Sequence, residues 1–480
     1  MRGLLNVLLI ILLVSVFFAV LVGFHGESLA STDATDRFVA VSASGMWANA
    51  LTENGDVWSW GYEMTGSIVY TPVEVPISNV KAIATGAGYA LALKDDGTVW
   101  AWGENYYGGL GDGNNVTSNT PVEVLGLTNV TAIATGNDCS YALKDDGTLW
   151  AWGFNRYGQL GDGTYGDNTS NFAPVKVEGL ENVIAIGAGG DYAIESDGSV
   201  WAWGDNTAYA VYGMTNVTRT YGALGDDYQG IRATPFKLEN VSNVKAIAYS
   251  WTSPATFAVK PDGTVLAWGL DMDGQLGNPE LDQGSQPSAD SQFVPNVYII
   301  PVSVDIDNVT EVSAGENYAM ALKADGTVWE WGQRDDNIIN DGSYTTPTQI
   351  QGLSGITAIS AGGTFRVALK NDGSVWTWGD NEEGQLGDGN NNITEPYRAT
   401  PMEILGGNAP VQVATPTTTP IPSTTPEGTP TTATSTVTPA IGNNTSTPIK
   451  ISGFDLEIAG LAGILLIMGA VVYLWTKKRL

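Results

Sequence analysis

A box of the form Trp-x-Trp-Gly recurs along this chain and limits what it can fold into more than any other feature. It ends at Gly61, Gly103, Gly153, Gly204, Gly269, Gly332 and Gly379, at intervals of 42, 50, 51, 65, 63 and 47 residues. Thirteen of its fourteen tryptophan slots are filled, by Trp58, Trp60, Trp100, Trp102, Trp150, Trp152, Trp201, Trp203, Trp268, Trp329, Trp331, Trp376 and Trp378; Leu266 takes the other. A few residues before each box stands a turn glycine (Gly55, Gly97, Gly147, Gly198, Gly263, Gly326 and Gly373), preceded by Asp or, in the first unit, by Asn54. Five units follow the box with Gly-x-Leu-Gly, at 108–111, 158–161, 222–225, 274–277 and 384–387. Separated motifs that agree in order and number at this spacing define a repeat architecture.

Each unit reads as four strands. In the second they are AIATG (82–86), YALAL (89–93), TVWAWG (98–103) and PVEV (121–124), short, β-prone and divided by turn residues. The Asp-Asp-Gly between the middle two is hairpin punctuation, because glycine accepts the positive φ of a tight turn. Seven such units predict an all-β chain folded as a seven-bladed β-propeller of four-stranded antiparallel blades, spanning residues 31–409. Alternation along TVWAWG puts Trp100 and Trp102 on one face and Val99, Ala101 and Gly103 on the other. Both faces of a blade are covered by neighbours, so the paired indoles are expected to cement adjacent blades. Each would bury ~200 Å², worth roughly 5 kcal/mol of gross hydrophobic free energy. The glycines do not form a phosphate cradle: no unit follows them with a helix start or a Lys-Ser/Thr pair.

Composition removes several function classes. Asp and Glu number 51 against 21 Lys and Arg, a net charge of −30, so a nucleic-acid partner is not expected. The one cysteine, Cys139, forms no intramolecular disulfide and reads as a small buried hydrophobe. The one histidine, His25, lies in a segment expected to be removed, which leaves no Ser–His–Asp triad and no His-ligated zinc.

Both ends are apolar. Residues 1–30 have Arg2 before the apolar run Leu4–Val22 and small residues at Ser28 and Ala30, the pattern of a secretory signal peptide. Residues 410–450 are dominated by Pro, Thr and Ser and predict an extended stalk. Within 451–476, Leu456–Trp475 is long enough for a transmembrane helix, and the basic tail at 477–480 marks a cytoplasmic end. The expected protein is exported and anchored at the cell surface, with the propeller outside. This ending resembles the sorting tails of archaeal surface proteins, with Ser452-Gly453-Phe454 where that pattern has Pro-Gly-Phe.

The aligned units resemble the repeats of the regulator of chromosome condensation family. The resemblance covers about residues 37–406 and is most complete in GNDCSYALKDDGTLWAWGFNRYGQLGDG (136–163) and at 362–389. It implies the seven-bladed propeller and a role as a protein-interaction platform. The family's nucleotide exchange on a small nuclear GTPase uses a wedge-shaped insertion, and no positions here match it.

Four kinds of candidate site remain. Asp112, Asn114, Asp388 and Asn390 lie in oxygen-rich loops, the nearest approach to calcium ligands, but Val116, Ile393 and Ala399 break the EF-hand pattern; no other cofactor is expected. Asn-x-Ser/Thr acceptors for N-glycans occur at Asn115, Asn129, Asn168, Asn216, Asn240, Asn308, Asn392, Asn443 and Asn444. The long loops of units 4 and 5, with Tyr209, Tyr212, Tyr221 and Tyr228, are the expected recognition surface. The sequence thus points to a non-enzymatic module that binds an extracellular protein or glycan. A surface glycosidase or lyase using a carboxylate pair is the alternative, and GTPase regulation follows from the resemblance alone.

Overall fold

A computed structural model describes residues 37–406 except 64–66, 137, 188, 209–219, 222–223, 229, 251–253, 272–273, 282–296, 334–343 and 391–395. The expected signal, stalk, anchor and tail lie outside the described residues, as do Tyr209, Tyr212, Asn216, Asn392, Asn443 and Asn444. Among the described residues no helix is long and apolar enough to cross a membrane.

The described strands form seven four-stranded antiparallel sheets and one small two-stranded ribbon. Blade 2 shows the pattern: Val80–Thr85, Tyr89–Lys94, Val99–Gly103 and Ser118–Glu123 pair in sequence order. Its second and third strands are joined by the predicted hairpin. There Gly97 takes φ +81°, and the Asp96 carboxylate accepts the Thr98 N–H at 2.9 Å and its hydroxyl at 2.6 Å. Asp146, Asp262 and Asp325 bind Thr148, Thr264 and Thr327 in the same way. The blades span residues 38–75, 80–123, 130–176, 183–242, 246–303, 309–349 and 356–405. First strands of neighbouring blades touch each other in six of the seven seams, so they line the axis.

The core lies in the seams. Seven buried clusters each draw on two adjacent blades, one cluster per seam. In the seam between blades 2 and 3, Leu91, Ala101 and Leu110 meet Ala142 and Trp152. The paired tryptophans divide their labour. The second of each pair (Trp60, Trp102, Trp152, Trp203, Trp268, Trp331 and Trp378) is at most 3% exposed. The first is half-buried at Trp100, Trp150, Trp201, Trp329 and Trp376, and buried only at Trp58. Its indole N–H turns back to a turn hydroxyl, as from Trp100 to Thr98 at 3.2 Å, and Lys94 lies over its ring.

The Gly-x-Leu-Gly loop plugs five of the seven seams. Leu110, Leu160, Leu224, Leu276 and Leu386 are fully buried. Their backbone N–H groups donate to the buried side chains of Asn105, Asn155, Asn206, Asp271 and Asn381. In four of these five seams the second tryptophan of the following blade donates to the carbonyl just before the leucine. Trp152 reaches Gly109 at 2.8 Å, Trp203 reaches Gln159 at 2.8 Å, Trp331 reaches Gln275 at 2.8 Å and Trp60 reaches Gln385 at 3.0 Å. Blades 1 and 6 lack the motif, and Trp102 and Trp378, which follow them, have indole N–H groups without an acceptor among the described residues.

The ring closes through a seam of the same kind. Blade 1 is built wholly from residues 38–75 and blade 7 wholly from 356–405, so no strand is exchanged between the ends. Phe38 N–H donates to Gly373 at 3.2 Å, as Val80 does to Gly55 at 3.1 Å and Val130 to Gly97 at 3.2 Å. Gly363 N–H adds a bond to Gly45 at 2.7 Å.

Candidate interaction face

In an antiparallel meander the loop between strands one and two and the loop between strands three and four emerge at the same end of the blade. At this end of blades 2 to 4 the chain gathers carboxyls and aromatic rings. Glu104 leaves the third strand of blade 2, tied by its N–H to Gly88 at 2.9 Å. Asp138 occupies the first loop of blade 3, beside a small cleft that it shares with Glu104, Tyr89, Tyr106 and Tyr107. Burial, with Asp138 nearby, raises the Glu104 carboxyl to about 7, and burial raises Asp138 to about 6. One blade further on, Asp191 is buried in the seam between blades 3 and 4, where the Tyr141 hydroxyl donates to it at 2.6 Å. Burial lifts its carboxyl to about 7 against that hydrogen bond, helped by Asp205.

Aromatic rings surround these carboxyls. Tyr106 is 67% exposed and Tyr107 44%. Tyr107 meets Phe154 edge to face at 4.7 Å, and Phe154 meets Tyr157 at 6.0 Å, which links blade 2 to blade 3. Arg156 lies over the Tyr157 ring. Beneath them Tyr89 and Tyr141 are rigidly held: Tyr89 donates to the Cys139 carbonyl at 2.6 Å, and the Cys139 sulfur lies 3.2 Å from the Tyr141 hydroxyl. Cys139 is buried, and burial pushes its thiol up. The arrangement is a fixed acidic platform with exposed rings at its edge. It can present hydrogen-bond acceptors and apolar surface together, as partner-binding patches do.

The sequence-predicted sites fall elsewhere. Tyr228 is 45% exposed and stacks on the Arg232 guanidinium, which lies 4.0 Å from its ring and 4.4 Å from that of Phe236 and pairs with Asp226. Tyr221 lies on the short strand Thr220–Tyr221, paired with Thr207–Ala208. The oxygen-rich loops are occupied from within. Asp112 accepts from Asn105 at 3.1 Å and from the Asn114 amide at 2.7 Å. Asp388 is buried, accepts from Asn381 at 3.3 Å and from Asn390 at 3.0 Å, and pairs with Arg398 at 2.7 Å. Among the described residues no three or more His, Cys, Asp or Glu side chains come together as a metal cluster. Asn115, Asn129, Asn168, Asn240 and Asn308 are all exposed. Asn129 and Asn308 also hold φ at +59° and +56°, at the turn before a first strand.

Sequence reading missed Glu104, Asp138, Tyr106 and Tyr107. The only signal was Glu-Asn-Tyr-Tyr directly after a box, indistinguishable on its own from a solvated loop.

Known proteins share this architecture. The pattern described as RCC1-like domain matches residues 25–296, and that of the regulator of chromosome condensation (RCC1) repeat matches 372–421 and 356–385. Protein pim1 of Schizosaccharomyces pombe is 29% identical over 184 residues, 36% of this chain and 32% of that protein, so the match spans about a third of the relative's length. Prp20p of Saccharomyces cerevisiae, described with its binding to Gsp1p and histones, superposes with a TM-score of 0.60 at 23% identity, covering 74% of this chain and 87% of its own. Human WBSCR16 superposes with a TM-score of 0.59 at 20% identity, covering 75% and 96%. At these identities the two structures speak for the fold. Through the RCC1-like pattern, which spans more than half of its length, this chain belongs to the RCC1-like domain family.

Proposed function

We propose that this chain is a protein-interaction propeller, carried on a stalk at the outer surface of the cell, and that it takes a basic protein segment on the face formed by blades 2 to 4. The observation that carries the reading is the pairing of Glu104 and Asp138, two carboxyls raised by burial, with the exposed rings of Tyr106 and Tyr107. A Lys- or Arg-bearing segment supplies donors to these carboxyls, and its side-chain stems pack on the rings. The net charge of −30 draws such a partner in from a distance. Export, the stalk and the anchor belong to the same reading, and so do glycans on the exposed acceptors Asn115, Asn168 and Asn240.

The test is a peptide array of Lys- and Arg-containing sequences with charge-reversed controls, followed by calorimetry on the best binder. Because Glu104 and Asp138 titrate at about 7 and 6, binding strengthens as pH rises from 6 to 8 and both become charged. Glu104→Gln with Asp138→Asn removes that pH dependence, and Tyr106→Ala with Tyr107→Ala weakens binding by about tenfold or more. Peptide binding that ignores both double variants would overturn the assignment of this face.

The same two carboxyls favour one second reading, a hydrolase acting on a glycosidic bond, since neighbouring acids with raised pKa suit proton donation. Hydrolysis of aryl glycosides that is lost in Glu104→Gln would support it. Peptide binding without any turnover would favour the interaction module.

A further inference from the structure

The cleft shared by Glu104 and Asp138 is narrow, and part of its wall is fixed. It holds about 10 Å³, close to the ~10–15 Å³ that admits a single water-sized group. Tyr89, Asn105 and Gly109 form the fixed part, each tied by hydrogen bonds to other residues. Tyr89 is 1% exposed and donates its hydroxyl to the Cys139 carbonyl at 2.6 Å. The buried Asn105 amide donates to the Asn114 and Val116 carbonyls at 3.1 and 3.2 Å, and its oxygen accepts the Leu110 N–H at 3.0 Å. The Gly109 carbonyl accepts from the Trp152 indole and from the Ser140 hydroxyl, each at 2.8 Å. The two carboxyls arrive from different blades, Glu104 from blade 2 and Asp138 from blade 3, and both are half-buried and open to solvent. They are close enough that Asp138 adds to the effect of burial in raising the Glu104 carboxyl to about 7.

We propose that this cleft selects lysine over arginine in the bound segment, seating one unmodified ammonium between Glu104 and Asp138. The selection rests on a basic segment docking at this face, and it names the cation that segment must carry. An ammonium is compact and has three diverging donors, so a single one serves carboxyls that arrive from two blades. A guanidinium is a planar fork that favours both oxygens of one carboxyl and needs a slot for its plane. Walls tied at Tyr89, Asn105 and Gly109 do not part to make that slot. An arginine therefore stops at the rim with one carboxyl paired and the other left alone, and that difference separates the two affinities. Trimethylation enlarges the lysine head beyond the cleft and removes all of its donors. The lysine stem lies against Tyr106 and Tyr107, exposed at the rim.

The peptide array tests it when each sequence is made in matched versions, with every basic position as Lys, as Arg or as trimethyl-lysine. Calorimetry on the intact chain at pH 8, where both carboxyls are charged, then compares the versions of the strongest binder. The lysine version is expected to bind at least about tenfold more tightly than either of the others. Asp138→Asn leaves one carboxyl and should cut the Lys-to-Arg ratio to about threefold or less, because the lysine version loses more than the arginine version. Equal binding of the two versions, or a preference for arginine, overturns the selection and leaves the face as a general site for basic segments. A ratio that survives Asp138→Asn places the discrimination outside this cleft and overturns it as well. Absence of binding by every version is a different result: it overturns the docking of a basic segment here, and the selection falls with it.

Discussion

Asp191 shows what burial does to a single side chain in this molecule. It sits where blades 1, 2 and 6 have alanine opposite the second tryptophan, and its carboxyl has been pushed to about 7 by loss of water. In the unfolded chain the same group titrates near 4. The folded state therefore holds a proton that the unfolded state releases, and the stability this confers is lost as pH rises from about 4 through about 7. Glu104, Asp138 and Glu311, raised to about 7, 6 and 7, act in the same direction. The turn carboxylates Asp96, Asp146 and Asp262, lowered first by Thr hydroxyls, lose their contribution only at more acid pH. The melting temperature is thus expected to fall between pH 5 and pH 8, and Asp191→Asn to flatten part of that fall; thermal melts across this range check it. None of this was legible in sequence, because 51 acidic residues give no hint which ones a seam will bury.

Within the third strand of each blade, period-two alternation correctly put both indoles on one face, yet it gave them equal weight. The difference arises from position across the blade. The second tryptophan faces the preceding blade's loop, as Trp152 faces Gly109, while the first lies nearer the hairpin turn, where Thr148 and solvent meet it. Replacing Trp152 by Phe removes a buried hydrogen bond and fills the site poorly, a loss of about 2–4 kcal/mol. Trp150→Phe costs about 1 kcal/mol or less at its half-buried site. Chemical denaturation of the two variants reads this directly, and equal losses would refute the division of labour. The loops after this strand were the harder element to read. Asp112 and Asp388 stand in the sequence as no more than loop carboxylates in a broken calcium pattern, and the fold adds that Asn105 and Asn381 turn inward to donate to them.

At the scale of the whole molecule, the number of blades was legible because every unit repeats the same turn glycine and the same box. The closure was not, since nothing in the sequence distinguishes a first blade that shares a strand with the last from one that only packs against it. The structure joins the ends with bonds that inner seams also use: Phe38 on Gly373, as Val80 on Gly55; Gly363 on Gly45, as Glu316 on Gly363; and the Trp60 indole on Gln385, as Trp152 on Gly109. The acidic face of blades 2 to 4 is built across seams of this kind. Residue-resolved amide hydrogen exchange across the propeller measures the closure most directly. Phe38 should be protected to within about tenfold of Val80 and Val130, and Gly363 to within about tenfold of Glu316, their counterparts in inner seams. Rapid exchange at Phe38 and Gly363, with Val80, Val130 and Glu316 still protected, would mean that the ring stands open.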